Sequence, residues 1–516
     1  MPLLPRGGGT SQSGQTVGRA LVMDFSKYLK RLICVDPAAR TCVVEPGIVL
    51  EDLNRQLSAT GLWFPVDVST ASRATIGGMT GNNSCGTRSI RYGIMRDNVI
   101  SIAAVLADGS ELTFGEVGRN LAPLGPVGDL ASNPATIAAA PGPDAGDDPA
   151  ALSLVRDMLA LGRREAAHIA QAFPEVSRRV GGYLIDALRP GPEPVNLATL
   201  LCGSEGTLAV SRRIELKLSP LPKNKALGIC HFGSFRKAME TPQHIVKLNP
   251  VAVEVVDRTL IELARDIAMF RPVMETYVRG RPDALLLVEF AEDEQAENLR
   301  RLHRLDELLA DLGHPNSVVK VTDATGQKAV WDVRASGLNI MMSMKSEGKP
   351  VSVHRGLRRT PRTSRRLHGT AYRHLRDARH ARHLVRARLG RLPARAPGAQ
   401  PEAGEGRCDH ARDRRGSLRH GQANTRARTR ASMATAWCAR NFTRACIGAH
   451  TVRLFEEVKD RFDPNGLMNP GKIVRSPRMD DRGLFRFKPC LPRRGAHTGV
   501  RLVGLSRCRR RVPGRG

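Results

Sequence analysis

Three short stretches of the chain gather glycine and small polar side chains at a density that suits a phosphate-bearing ligand. The first is Pro5-Arg6-Gly7-Gly8-Gly9-Thr10-Ser11. Consecutive residues without a Cβ let backbone N–H groups close on an anion, and hydroxyls add further donors. Taken alone, the segment is a weak signal, and an ordinary glycine-rich turn accounts for it better. The second runs from Ser69 to Gly93 and holds Gly77, Gly78, Gly81, Asn82, Ser84, Cys85 and Gly86. A plain surface loop fits it poorly, because apolar Ile76, Met79 and Ile90 interrupt it. The third, Cys202-Gly203-Ser204-Glu205-Gly206-Thr207-Leu208, reads as a compact turn ahead of the strand Ala209-Val210.

The surrounding elements alternate between strand and helix. Thr41–Glu45 reads as a strand, Pro46-Gly47 as a turn, and Leu50–Thr60 as a helix stopped by Gly61. Val99–Leu106 and Glu111–Phe114 flank Ala107-Asp108-Gly109, a hairpin signal. Residues 125–148, rich in Gly, Pro, Ala and Asp, read as a loop, and Pro149–Phe173 has helical periodicity. A second domain over 226–352 carries a helix near Arg258–Ala268, a buried strand Ala284–Phe290, a charged helix Asp293–Leu312 and a strand Val318–Val321. Residues 1–225 read as α/β, and the second domain as an α+β sheet covered by helices on one face; the expected fold class of the whole is α+β. Regular patterning stops near Val353 and returns near Gly448, where Thr451–Phe462 is an amphipathic helix. It fails again after about 489.

Composition narrows the classes. At 516 residues the chain is long enough for two or three cored domains. No run of 18 apolar residues is present, so a membrane-spanning helix is not expected. The N-terminus lacks a signal-peptide core, and the chain reads as cytoplasmic. Ten cysteines without a C-x-x-C pair argue against a zinc finger or an iron–sulfur cluster within it. The net charge of +30 suggests nucleic acid only until it is located. Residues 355–430 hold 22 Arg, no Lys and 5 acids, and residues 476–516 hold 12 basic residues against 2 acids. A basic arm usually mixes Lys with Arg, and an RNA binder interleaves aromatics; neither holds here.

The three glycine segments at these separations resemble the FAD-binding domain of the p-cresol methylhydroxylase/vanillyl-alcohol oxidase type. Within it they resemble the D-lactate, glycolate and D-2-hydroxyglutarate dehydrogenase group. The resemblance covers roughly residues 2–352 and 448–489. It implies that the first two segments (Arg6–Ser11 and Ser69–Gly93) hold the FAD diphosphate and that Gly203–Thr207 lies against the flavin. Phe64-Pro65-Val66-Asp67-Val68 resembles a family F-P-x-D-P segment, which brings Pro65 and Asp67 to the cofactor. Covalently flavinylated relatives carry a His where Thr10 stands, so FAD is expected to be non-covalent. Family members usually have a strand-helix unit ahead of the first segment, so the first subdomain reads as truncated. Trp331-Asp332-Val333-Arg334 resembles the family's W-x-x-R, whose arginine grips the substrate carboxylate with its guanidinium fork. A helix-surface salt bridge explains Arg334 equally well. Phe462-Asp463-Pro464-Asn465-Gly466-Leu467-Met468-Asn469-Pro470-Gly471-Lys472 resembles the family's closing F-D-P-x-x-x-x-N-P-G-K. Arg478-Met479-Asp480-Asp481-Arg482 resembles long members that continue into an iron–sulfur domain.

After Ser352 the family continues F-I-E-D-C-A-V-P, then H-A-S-V-G-C-L-H and S-G-E-H-G-D-G, whose His and Glu bind a divalent metal. None of these stands in the sequence as written. They can be recovered one base away: Val353–Arg358 can be encoded GTT CAT CGA GGA CTG CGC, a choice among synonymous codons that reads F-I-E-D-C when the first base is dropped. His383–Arg395 treated likewise yields H-A-S-V-G-C-L-H. Ala431–Ala436 in the other offset yields G-E-H-G-D-G, and Arg501–Ser506 can hide L-D-W-S-A-Y. We therefore expect 353–447 and 490–516 to be frameshifted, with 353–447 disordered and the family's metal site lost. Shifted GC-rich DNA also explains the Arg excess. An intact relative is expected to oxidise a small D-2-hydroxy acid, with FAD as the hydride acceptor and a quinone, cytochrome or iron–sulfur domain as the next electron carrier. Peripheral contact with the inner membrane is compatible with that. A sugar-lactone or alditol oxidase on the same fold, an inactive FAD-binding remnant and a basic interaction protein are the alternatives.

Overall fold

The computed structural model describes residues 1–11, 14–117, 149–173, 181–342 and 448–477. The expected loop over 125–148, the expected frameshifted segments and the Arg478–Arg482 resemblance lie outside the described residues.

The chain opens with a parallel pair, β1 (Leu3–Arg6) and β2 (Leu21–Asp24), whose connection contains the first glycine segment. An antiparallel five-stranded sheet follows. It contains β3 (Leu32–Asp36) and β4 (Thr41–Val44), and, after the short β5 (Leu62–Trp63), β6 (Val99–Val105), β7 (Glu111–Phe114) and β8 (Val210–Lys217). Its strand order is β3-β4-β8-β6-β7, while β5 pairs separately with β9 (Ser219–Pro220). The hairpin expected around Asp108-Gly109 is present, with Val105 opposite Glu111. The helix Leu50–Leu57 turns its Leu50, Leu53 and Leu57 stripe into the core and ends through a 3-10 turn at Gly61, whose φ is 70°.

The second sheet is antiparallel, in the order β11-β12-β10-β13, from β10 (Ala226–Phe232), β11 (Ala252–Asp257), β12 (Ala284–Phe290) and β13 (Val318–Val321). Helices cover both of its faces, which corrects the expected single covered face. On one side the helices Arg258–Asp266, Arg271–Tyr277 and Ala324–Ala335 bury Leu260, Ile261, Met274, Val330 and Val333 against Ile229, Leu285 and Leu287. On the other, the helices Phe235–Glu240 and Gln295–Asp311 bury Ala238, Leu302, Leu305 and Leu309 against Cys230, Leu286 and Val288. The reason is legible in β12 itself. Ala-Leu-Leu-Leu-Val-Glu-Phe has no alternation, and all seven residues are buried.

The helix Ala449–Phe462 packs into the core of the first sheet unit, not the second. Leu454, Phe455, Val458 and Phe462 join that core, with Phe455 edge-on to Phe173 and Tyr183 and Phe462 stacked near Phe114. Among the described residues no helix is long and apolar enough to cross a membrane.

Candidate functional site

The three glycine segments meet. Thr75 opens the helix Ile76–Asn82, its side chain accepting from Gly78 N at 3.2 Å. A Cβ on Gly7 would lie 2.0 Å from Thr75 Oγ1, and one on Gly8 would lie 2.0 Å from Arg73 O. Only glycine lets the first segment lie this close to the start of that helix. Gly8 and Gly9 are exposed beside it, and their amides meet no acceptor among the described residues. Thr10 and Ser11 follow, half-buried, while Arg6 pairs with Asp24 at 2.8 Å. The C-terminal end of the same helix meets the third segment, where Gly203 N donates to Thr80 O and Glu205 N to Gly81 O, each at 2.8 Å.

Glu205 sits where these elements converge. Its backbone takes the left-handed region (φ 56°), and its carboxyl Oε1 accepts from Gln15 Nε2 at 3.2 Å and from Asn82 Nδ2 at 3.1 Å. Burial pushes its pKa up to about 8, against the two amide donors and the nearby Lys472 charge, which favour the ionised form. At pH 7 the group is therefore mostly neutral, a carboxylic acid inside a cradle of amides. Thr207 behind it is buried, its Oγ1 donating to Ser204 O at 2.6 Å and meeting Tyr183 Oη at 2.7 Å.

The C-terminal segment closes this cluster. Asn469 Nδ2 donates to Glu205 O at 2.7 Å and Gln15 O at 3.2 Å. Lys472 Nζ donates to Gly14 O at 2.6 Å and Val17 O at 2.8 Å. Lys459 Nζ donates to Thr207 O at 2.6 Å, to Met468 O at 2.8 Å and to the Asp463 carboxylate. The backbone joins as well: Leu3 N donates to Leu467 O, and Asn469 N to Leu3 O. Sequence reasoning assigned no role to Gln15, Lys459, Asn469 or Lys472. The signal available was the closing N-P-G-K, whose amide and ammonium reach donor-poor carbonyls across the chain.

The remaining expected residues are placed as follows. Ser69 is exposed, Pro65 is buried, and Gly77 lies against Pro46. Ser84 Oγ donates to Asn82 Oδ1 at 3.2 Å, Cys85 is half-buried beside it, and Gly206 packs on Pro5. Gly93, at φ 76°, ends the turn Ser89–Tyr92. Asp67 is engaged within the protein: it accepts from Thr87 Oγ1 and from Arg88 N at 3.0 Å, and a Cβ on Gly86 would overlap its carbonyl. Arg334, near the end of the helix Ala324–Ala335, is ion-paired with Glu254 of β11, with Nε to Oε1 at 2.9 Å. Among the described residues no group of three or more His, Cys, Asp or Glu side chains is arranged to hold a metal ion. The His- and Glu-bearing motifs expected one base away fall outside the described residues.

Two protein families match the chain in succession. The FAD binding domain family matches residues 1–115, and the family of FAD linked oxidases, C-terminal domain, matches 221–354 and 438–473. Residues 355–437 are left unmatched between the two parts. A D-2-hydroxyglutarate dehydrogenase of Pantoea ananatis is 29% identical over 357 residues, covering 67% of this chain and 33% of that protein. The Pseudomonas putida enzyme of the same name is 30% identical over 361 residues, with the same coverage. The glycolate oxidase subunit GlcD of Bacillus subtilis is 25% identical, covering 67% of this chain and 57% of that protein. The chain thus spans about a third of the length of the first relatives it matches. Solved structures of an alkyldihydroxyacetonephosphate synthase share the fold at a TM-score of 0.55 and 14% identity, covering 91% of this chain and 72% of that one. By these two consecutive family matches, the chain has the architecture of an FAD-binding domain followed by an FAD-linked oxidase C-terminal domain.

Proposed function

We propose that this chain is built to hold FAD non-covalently and to oxidise a small D-2-hydroxy acid, and that its catalytic half is out of frame as written. The observation that carries the first part is the convergence of the three glycine segments and the C-terminal tail around Glu205. The residues present fit FAD: exposed consecutive glycine amides suit a diphosphate, and the hydroxyls of Thr10 and Ser11 add donors. Thr10 offers no ring nitrogen for a covalent link to the flavin. When bound, FAD supplies the two-electron acceptor that no side chain can provide. The chain's own residues position it. Gly7–Ser11 and Gly78–Asn82 would hold the diphosphate, while neutral Glu205, at the other end of the helix Ile76–Asn82, would lie toward the flavin and add no negative charge to the site. Asn469 and Lys472 hold the Gln15 and Gly14 turn shut.

For the substrate, Arg334 is the candidate carboxylate anchor, with its guanidinium held by Oε1 of Glu254. The general base and metal ligands of the family have no counterpart in the frame given, and we derive no step through a metal. The frameshift reading is supported by the stretch 355–437 that the family match skips. It is also compatible with the genetic code: with synonymous codons chosen for Val353 through Pro361, the shifted frame can read F-I-E-D-C-A-V-P, eight residues in order. We read the protein as cytoplasmic, passing electrons to a quinone, a cytochrome or an iron–sulfur domain, with contact at the inner membrane through that acceptor.

The test is the nucleotide sequence from codon 345 onward, followed by expression of both versions. We expect the restored frame to reduce a dye with D-2-hydroxyglutarate, D-lactate or glycolate, and the chain as written to show no turnover. Turnover at an ordinary rate by the chain as written would overturn the reading.

A further inference from the structure

The two sheet units are joined at a junction that neither the cofactor nor the substrate reading uses. Arg88, in the second glycine segment, reaches across to β12 and donates to both oxygens of the buried Glu289, with Nε to Oε1 at 2.8 Å and Nη2 to Oε2 at 2.9 Å. Its Nη1 also donates to Asp67 at 3.3 Å. Its guanidinium lies over two indoles, 5.9 Å from the Trp63 ring and 5.6 Å from the Trp331 ring. Glu289 takes a third donor, Trp331 Nε1, at 2.8 Å. Trp63 has no acceptor for its own buried Nε1 among the described residues, so its ring is fixed by stacking on Arg88 and by an edge contact with Tyr92. A second arginine runs beside the first, with Arg91 donating to Glu292 and to Asn249 O.

The geometry points to Arg88 as a positioning residue: we propose that it transmits order from the cofactor segment to the helix that carries Arg334. The physical case rests on satisfaction. Glu289 is 1% exposed and sits on a strand buried at every position, so its charge must be matched. Its fork-to-fork pairing with Arg88 fixes orientation as well as distance. Trp331, hydrogen-bonded to the same carboxylate, lies one helical turn before Arg334. A change in the Gly81–Gly93 segment is thereby felt at the helix Ala324–Ala335 through two side chains, without a covalent path between them. The proposal rests on the reading that the second segment holds FAD and Arg334 meets substrate, but its local half does not.

Hydrogen exchange of the full chain, with and without FAD, tests it in wild type, Arg88→Met and Arg88→Lys, alongside tryptophan emission. Without FAD, we expect Arg88→Met to speed exchange across 324–335 at least threefold and to shift tryptophan emission to the red. Arg88→Lys, which keeps the charge but loses the fork, should show a smaller effect in the same direction. With FAD, the wild type should gain protection in both 76–93 and 324–335, and Arg88→Met only in 76–93. Protection of 324–335 that survives in Arg88→Met, or unchanged exchange and emission without FAD, would overturn the proposal. If no variant gains protection from FAD, the cofactor reading fails, while the FAD-free comparison still decides the role of Arg88. If Arg88→Met does not fold, the Arg88→Lys comparison carries the same decision.

Discussion

A carboxylic acid held neutral in a cradle of amides is the unusual residue of this protein. Glu205 binds its proton up to about pH 8, because burial outweighs the donors from Gln15 and Asn82. A carboxyl whose pKa rises on folding contributes no pH dependence below its ordinary value of 4.5, where both states are protonated. Between 4.5 and about 8 the unfolded chain has released the proton and the folded one has not. Stability therefore falls across that window, by up to about 1.4 kcal/mol per pH unit, and levels off above it. We expect Glu205→Gln to flatten this slope in denaturant melts from pH 5 to 9. FAD affinity should follow the same group: an anionic cofactor favours its neutral form, so binding weakens above pH 8 in wild type and does not in Glu205→Gln. A pH-independent wild-type affinity would place Glu205 away from the bound cofactor. Asn469→Ala should weaken FAD binding about tenfold, the equivalent of one lost hydrogen bond, through the freed Glu205 and Gln15 carbonyls. Flavin fluorescence titration reads that change.

At the scale of elements, the tail is what makes the site. The helix Ala449–Phe462 is apolar on the face that meets Phe114, Phe173 and Tyr183, and Lys459 on the same helix is buried with Asp463. Lys459→Met leaves Asp463 facing Leu467 N and Met468 N without its cation, and we expect it to destabilise the fold by about 3–5 kcal/mol. A thermal melt within a degree of wild type would show that the pair is dispensable. Much of this level was legible beforehand. The hairpin at Gly109, the helix ended by Gly61 and the strand Ala284–Phe290 follow from turn chemistry and period alone. The covering of both faces of the second sheet was also written in β12, where the lack of alternation demands two apolar neighbours. Three of the glycine-segment contacts could not be read in advance. Gly7 meets Thr75, Gly81 meets Glu205 and Lys472 meets Gly14 across separations that no local pattern encodes. The role of Arg334 stayed open for a like reason, since a fork that suits a substrate carboxylate suits Glu254 as well.

For the whole molecule, function divides along the chain. The described residues up to 342, with 448–477, carry the proposed cofactor site and the second sheet, while the family's metal-binding motifs would fall between them. FAD binding and turnover are therefore separable properties here. Restoring the frame between 353 and 447 should raise turnover from none to that of a working dehydrogenase, while FAD affinity changes by a smaller factor. The most direct measurement is an equilibrium titration of the purified chain, as written, with FAD, followed by flavin fluorescence and by the visible spectrum. We expect saturable one-to-one binding that Asn469→Ala weakens and that D-2-hydroxy acids do not bleach. An absence of saturable binding, in a protein whose circular dichroism reports it folded, would contradict the assignment of the glycine segments and tail as an FAD site.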